Sequence, residues 1–399
     1  MRIAIVSDYF LDYVGGAQTS MRQQQLALQS AGHTVFMVSA SRGLWFSGAR
    51  KVNDGIQLHP NYTIPGLQLP IIPNNRRNRA VLRRFFREQS IDVVHLQTEF
   101  ALAHAATTVA RELGIRVVHT VHTFYWASEG GPQASVAWLL RWGLQVVTRT
   151  RIPRLPLTQR PADNLLRNLT LAMALLVDKV VSPSAHQGKD LTDAGVAGEI
   201  ALVPNPIATS SRASVPLALG ATVLPAFLWV ARCEAVKRPL VFARAAIDAL
   251  ARTHDGFTVD FVGDGAELAE LTSLVADHPQ ITVRGTLPHD AVLDLMDASS
   301  AVVLTSLGFD NQPMTIAEAV SRERGVLYCD PQLREGLQHA GFLAESPDER
   351  GLADALVALV TEPQRLLEIS QGAAIDRTAF SPENYVRRIL DVYNHETAV

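Results

Sequence analysis

A chain of 399 residues, 47% of them apolar, is long enough for two domains with cores of their own. Its net charge of −3 hides an asymmetry: up to Ser210 there are 21 Lys and Arg against 13 Asp and Glu, and from Ser211 onward 15 against 26. No run approaches ~18 uncharged apolar residues, which argues against a membrane-spanning helix, and Cys233 and Cys329 show neither metal-ligand spacing nor a disulfide framework.

In chain order, apolar strands alternate with helical patterns. The opening MRIAIVSDYF reads as a first strand rather than a signal peptide. Strands are expected at Arg2–Val6, Thr34–Ser39, Val93–Leu96, Val117–Thr120, Lys179–Ser182 and Ile200–Val203. After a Pro/Ser/Ala-rich gap around Pro206–Pro216 a second series follows, at Ala226–Val230, Thr258–Val262, Ile281–Arg284, Ala301–Leu304 and Gly325–Tyr328. The fold class expected is α/β, with two Rossmann-like doubly wound domains facing a cleft at the strand carboxyl ends. The boundaries expected are 1–208 for an N-terminal Rossmann-like domain and 217–378 for a C-terminal Rossmann-like domain. Residues 379–399 are expected to form a helix that crosses back to the first domain. A Rossmann-like chain with a basic first half favours a membrane surface or phosphorylated ligands over nucleic acid.

Strand ends carry the candidate chemistry. The loop after the first strand holds Gly15 and Gly16, where backbone N–H groups can approach a ligand, or which form only a tight turn. His122 closes another strand in VVHTVHTFYW, and Arg232 and Lys237 follow the strand of FLWVARCEAVKRP. Two cations in a βα loop suit a diphosphate, although such cations also occur simply solvated. Gly263 lies in the short glycine turn VGDGAEL.

The stretch TSLGFDNQPMTIAEAVS gathers most of these elements. A buried strand ends at Thr305, a turn follows, and a helix is expected from about Pro313. Asp310 and Glu318 bracket seven residues. Backbone N–H groups over Asn311, Gln312, Pro313, Met314 and Thr315, proline excepted, offer a cradle for a polar ligand at a helix N-terminus. The plainer alternative is a strand–helix corner in which Asp310 caps the helix and Glu318 is solvated.

Taken together these residues resemble the GT-B glycosyltransferases, specifically the large retaining family 4 that includes bacterial diacylglycerol glucosyltransferases and lipid mannosyltransferases. The order Arg232, Lys237, Val262-Gly263-Asp264-Gly265, Gly285-Thr286-Leu287, Thr305-Ser306 and the acid-seven-acid motif carries the resemblance. It implies that Arg232 and Lys237 bind the donor diphosphate, Asp310 sits at the donor sugar, Glu318 holds the ribose hydroxyls and His122 lies beside the sugar. Gly15 and Gly16 match the family's glycine-rich first loop. Asp310 stands where the family usually has Glu. The resemblance further implies retention of anomeric configuration, no metal and no cofactor beyond the nucleotide-sugar substrate.

The acceptor belongs to the basic half. In IPNNRRNRAVLRRFFREQ, Arg76, Arg79, Arg83 and Arg87 share one helical stripe, with Arg77 and Arg84 on its flank and Val81, Leu82, Phe85 and Phe86 opposite. This is either a solvated arginine face or a face for anionic lipid headgroups. Gly130–Ala162 adds five arginines, no acid, and Trp138 and Trp142 in an apolar run. Glu99, in Thr98-Glu99-Phe100, and His119–Thr123 resemble the corresponding region of diacylglycerol glucosyltransferases. The partners expected are a nucleotide sugar, a lipid or glycan acceptor and an anionic membrane, and the location cytoplasmic, on the inner face of the cell membrane. UDP-glucose is the first choice of donor. GDP-mannose-dependent transfer and a non-catalytic sugar-nucleotide-binding scaffold stay open, whereas a glycogen-type polysaccharide synthase fits poorly because Val14, not Lys, precedes the paired glycines.

Overall fold

The computed structural model describes residues 1–12, 16–42, 49–64, 69–125, 134–207, 214–218 and 224–394. Gly15, the start of the Gly130–Ala162 stretch and most of the expected interdomain gap lie outside the described residues. The chain divides into two compact units, Met1–Ala208 with Pro382–Val399, and Thr209–Ser381.

The first unit runs β1 (Arg2–Val6), α1 (Gly16–Ser30), β2 (Thr34–Ala40), β3 (Ala49–Val52), β4 (Gly55–Leu58), β5 (Tyr62–Ile64), β6 (Leu69–Ile71), α2 (Arg76–Glu88), β7 (Val93–Leu96), α3 (Ala101–Glu112), β8 (Arg116–Thr120), α4 (Ala134–Thr148), α5 (Pro161–Ala174), β9 (Lys179–Ser182), α6 (Ala185–Asp193) and β10 (Ala201–Leu202). Among the described residues, one sheet has the order β10-β9-β8-β7-β1-β2-β4-β3. It is parallel except where β3 pairs with β4. β5 and β6 form a separate antiparallel pair. The chain leaves β1 toward β2 and returns to β1's other side at β7, so the switch point lies between β1 and β7.

The second unit runs β11 (Ala226–Val230), α7 (Pro239–Thr253), β12 (Thr258–Val262), α8 (Leu268–Leu274), β13 (Ile281–Val283), α9 (His289–Ala298), β14 (Ala301–Leu304), α10 (Met314–Ser321), β15 (Gly325–Tyr328), β16 (Gly341–Leu343), α11 (Glu349–Thr361) and α12 (Gln364–Asp376). Its parallel sheet has the order β13-β12-β11-β14-β15-β16, with the switch point between β11 and β14. Helices on both faces bury the central strands completely, as in β14, and this is why those strands read as unbroken apolar runs.

The last helix, α13 (Pro382–Asn394), belongs to the first unit. Its Tyr385, Ile389, Val392 and Tyr393 pack with Ile3, Ile5, Met21 and Leu28. β3 to β6 have no counterpart among the expected strands. They are short, β3 and β5 are partly exposed, and β4 is held to β2 through Gly55, whose added Cβ would meet the Met37 carbonyl oxygen at 1.9 Å.

Candidate active site

The second unit's switch point sets the loops after β11 and β14 side by side. Lys237 ends a single 3-10 turn, Ala235–Lys237, just past β11. Its ammonium donates to Asp310 Oδ2 at 2.7 Å, and the two side chains are only 15% and 12% exposed. The same ammonium stands 5.3 Å above the Phe309 ring. Trp229 Nε1 donates to Thr305 Oγ1 (2.9 Å), and the Thr305 hydroxyl donates to the Lys237 carbonyl (2.6 Å), so a buried indole at the end of β11 ties the two loops together. Asp330, just past β15, fixes the turn before Asp310 by accepting from Gly308 N at 2.7 Å and from Gln332 N at 2.9 Å.

Arg232 lies on the same side of the sheet and is more open, its guanidinium 2.6 Å from Glu234 Oε2. Beside it runs the glycine turn: Cys233 N donates to Asp264 O (2.9 Å) and Gly263 N to Gly285 O (2.9 Å). Gly263 and Gly265 have φ of +144° and +155°, and an added Cβ would meet the carbonyl oxygens of Ala231 at 1.8 Å and Cys233 at 2.5 Å. Only glycine allows this approach.

α10 begins at Met314, one residue later than expected, with Pro313 as a cap that has no side-chain hydrogen bond. Asp310 therefore does not cap it, and the plain strand–helix corner is set aside. Asn311 and Gln312 are buried, Pro313, Met314 and Thr315 half-buried, and Thr315 Oγ1 reaches the Val230 carbonyl at 3.4 Å. Glu318, one turn into the helix, is nearly enclosed, and burial pushes its carboxyl up to about 7. His289 Nδ1 stands 3.9 Å from it. Two carboxylate oxygens in a low-dielectric site are suited to a pair of hydroxyl donors.

In the first unit His122 follows β8. Its Nε2 lies 2.6 Å from Gln97 Oε1 beyond β7. Gln97 and Gln24 exchange amide hydrogen bonds (Gln97 Nε2 to Gln24 Oε1, 3.0 Å), and Tyr385 O–H donates to Gln24 Oε1 at 3.0 Å. With Gln24's oxygen occupied by two donors, its nitrogen faces Gln97 Oε1, which leaves that oxygen to accept from His122 Nε2–H. Burial holds His122 down at about 4, so the ring is neutral. Gly16 is the exposed first residue of α1. At the end of β1, Asp8 accepts from Leu102 N (2.7 Å) and Ala103 N (3.2 Å) and so caps α3 from another strand.

The arginine helix α2 starts at its Asn75 cap, whose side chain accepts from Asn78 N, and buries Asn78, Leu82, Phe85 and Phe86. Its arginine stripe is partly paired with acids. Arg79 and Arg83 are half-buried; Arg83 is paired with Glu112, and Arg84 with Glu88 at 2.6 Å, while Arg76, Arg77 and Arg87 are exposed. Glu99 is buried, and its Oε1 accepts from Thr170 at 2.8 Å. Trp138 and Trp142 are exposed.

The structure thus gathers Arg232, Lys237, Gly263, the 311–315 segment, Asp310 and Glu318 around one switch point, and in the other unit places His122 just past the end of β8 and Gly16 at the start of α1. Gln97, Asp330 and Asp8 were not picked out as functional positions, though each stands within two residues of a strand's carboxyl end and strand-end position alone could have marked them.

The model of Glycosyltransferase Family 4 matches residues 14–211 and that of Glycosyl transferases group 1 matches residues 225–362. The alpha-monoglucosyldiacylglycerol synthase of Streptococcus pneumoniae is 29% identical over 133 residues, 31% of this chain and 27% of that protein. A GDP-mannose-dependent alpha-mannosyltransferase of Mycolicibacterium smegmatis is 31% identical over 126 residues, 31% of this chain and 32% of that protein. The matched segment spans about a third or less of these curated relatives. In fold the chain is similar to a sucrose-phosphate synthase from Thermosynechococcus elongatus, with a TM-score of 0.68, 17% identity and 98% of each chain covered. Anabaena HepE in complex with UDP and glucose gives a TM-score of 0.66 at 14% identity, over 98% of this chain and 99% of that one.

Proposed function

The chain belongs to glycosyltransferase family 4, with the two parallel-sheet units of the GT-B fold, and on that premise we propose that it moves a hexose from a nucleotide diphosphate sugar, UDP-glucose first, to a membrane lipid such as diacylglycerol. The observation that carries this reading is the Lys237–Asp310 pair beside Arg232 and Glu318 at one switch point. In the reaction the bond from the anomeric carbon to the diphosphate oxygen breaks and a bond to the acceptor oxygen forms with retained configuration. The acceptor's proton passes to the departing phosphate. Arg232 and Lys237 stabilise the negative charge that develops on that phosphate, Asp310 holds sugar hydroxyls, and Glu318 holds the ribose. His122, neutral and fixed by Gln97, serves the sugar. Fixed cations take the part that a metal plays elsewhere, so a chelator should leave turnover unchanged. The protein is taken to act at the inner face of an anionic membrane.

The relatives' printed names support a lipid acceptor, and the mannosyltransferase match supports GDP-mannose as the second reading. Purified protein incubated with UDP-glucose, UDP-galactose, UDP-N-acetylglucosamine and GDP-mannose, with and without diacylglycerol vesicles, tests both. Glucosyl-diacylglycerol in the α-configuration is the result expected. Transfer from GDP-mannose alone would install the second reading. Nucleotide binding without turnover of any donor would leave a scaffold.

A further inference from the structure

The two basic stretches that lie far apart in the sequence meet at Asn74. Asn74 N donates to the Val147 carbonyl (2.8 Å) and its Nδ2 to the Thr148 carbonyl (3.0 Å), at the carboxyl end of α4. Asn74 stands two residues before Arg76, and Thr148 directly before Arg149. At about 3.8 Å per residue, Arg76, Arg77 and Arg149 rise from neighbouring backbone. Arg141, inside α4, donates to the carbonyls of Ile152 and Pro153 at 2.9 Å each and folds the following segment back against the helix. There Arg149, Arg151 and Arg154, with Gln145, line a cavity of about 680 Å³. No acidic residue occurs from Gly130 to Ala162.

Beside this cavity α4 turns an apolar stripe to solvent. Trp138 is 66% exposed and Trp142, one turn on, 60% exposed, with Leu139 and Val146 also exposed. Ala137, Leu144 and Thr148 on the other side are buried. A contiguous exposed apolar stripe calls for an occupant. Tryptophan flanked by arginine is the chemistry of the boundary between headgroups and acyl chains. A free phosphate ion would use the arginines but not the stripe. A second copy related by twofold symmetry would set one unneutralised arginine cluster against another.

We propose that the α4 stripe and the Arg149–Arg151–Arg154 cavity form one bilayer-docking surface, in which Trp138 and Trp142 enter the acyl boundary and the cavity seats the phosphate of an anionic phospholipid. This rests on the lipid-acceptor reading and deepens it by moving the main contact from the α2 stripe, where Arg83 and Arg84 are already paired with acids, to α4.

The test needs no sugar nucleotide, so its failure is separable from failure of the transferase reading. Full-length protein is mixed with vesicles of phosphatidylcholine alone or with phosphatidylglycerol, including versions with brominated acyl chains that quench tryptophan on contact. The wild type should bind the phosphatidylglycerol vesicles, with quenching that disappears in Trp138→Ser/Trp142→Ser. Changing Arg149, Arg151 and Arg154 together to Ser should lower partitioning about a hundredfold, three surface contacts of ~1 kcal/mol each converted at ~1.4 kcal/mol per tenfold. Arg350→Ser, at an exposed arginine of the second unit, should bind vesicles as the wild type does, which ties the effect to the surface. If the arginine variant keeps a native melting curve and binds like the wild type, or if the tryptophans are not quenched, the proposal is overturned. It is equally overturned if inorganic phosphate binds at the arginines while vesicles are ignored, or if the tryptophan variant dissolves a dimer seen in sedimentation without lipid.

Discussion

Lys237 and Asp310 face each other at 2.7 Å across the switch point of the second sheet, the cation on the loop after β11 and the acid on the loop after β14. Each is the other's buried counter-charge. Removing one partner leaves an uncompensated charge in a low dielectric, so Lys237→Ala should destabilise the protein by about 3–5 kcal/mol. Lys237→Ala/Asp310→Ala should recover much of that loss. Transfer should nevertheless stay about two orders of magnitude down in both, since the double variant restores neutrality but not the cation at the leaving phosphate. Chemical denaturation of these proteins together with Asp310→Ala, and turnover of each, checks this; full additivity of the two single losses in the double variant would break the pairing.

Arg232 gives a cleaner readout of chemistry, because it is more open and its partner, Glu234, is a near neighbour in sequence. Arg232→Ala should lower turnover by about a hundredfold with a melting temperature near the wild type's. Unaltered turnover would remove the diphosphate from this loop.

The alternation of strands and helices was legible because parallel strands buried on both faces are apolar throughout, as in Val93–Leu96 and Ala301–Leu304. β3 to β6 were not: the edge strand Ala49–Val52 buries little and has no apolar pattern to show, and β4 to β6 are only three or four residues long, too short for a periodicity. At the site, the residue types of Arg232, Lys237, Asp310 and Glu318 could be read, but not their pairings. The Lys237–Asp310 contact joins residues brought together only by the sheet order, and Glu318's environment depends on what encloses it. The arginine stripe of α2 was drawn from helical angle alone, which does not see Glu112 approaching from α3.

Gln97 should act through His122. Its Oε1 accepts from His122 Nε2–H at 2.6 Å and thereby selects one tautomer of a neutral ring. Gln97→Leu should shift the ring's tautomer balance in a nitrogen-15 spectrum and lower kcat with little change in KM for the donor. Gln97→Asn, which is shorter, should do the same less severely. A spectrum identical to the wild type's, with kcat reduced, would mean Gln97 acts by packing instead.

Donor binding should depend on pH through Glu318. Burial raises its carboxyl to about 7, so near neutrality it is part protonated, and hydroxyl donors favour the charged form. Nucleotide affinity should therefore rise as pH increases from about 6 to 8, with proton release on binding. Stability runs the other way: a carboxyl whose folded value exceeds the unfolded one stabilises fully below about 4.5 and loses that contribution as pH rises through about 7, on the order of 3 kcal/mol in all. Glu318→Gln should flatten both curves. Calorimetric titrations at three pH values distinguish this from a flat wild-type response, which would exclude Glu318 as the titrating group.

Acid should strike the first unit. Burial lowers His95 and His119 to about 3 and His104 and His122 to about 4, all within that unit. Each is neutral when folded and takes a proton when unfolded as pH drops below about 6.5. The stability they confer is complete above that value and is lost as pH falls toward their folded values. At pH 5 each accounts for about 2 kcal/mol. Asp8, raised by burial to about 6, works in the opposite sense and offsets roughly one histidine. The net loss is still several kcal/mol, enough to consume much of a typical domain's stability. Urea unfolding at pH 7.5 and pH 5, followed by hydrogen exchange in each unit, should show the first unit opening earlier at the lower pH. His119→Gln, which removes a buried titrating group from the end of β8, should reduce that net pH dependence by about a third. Equal exchange in both units at pH 5 would mean that these histidines are already protonated in the folded chain.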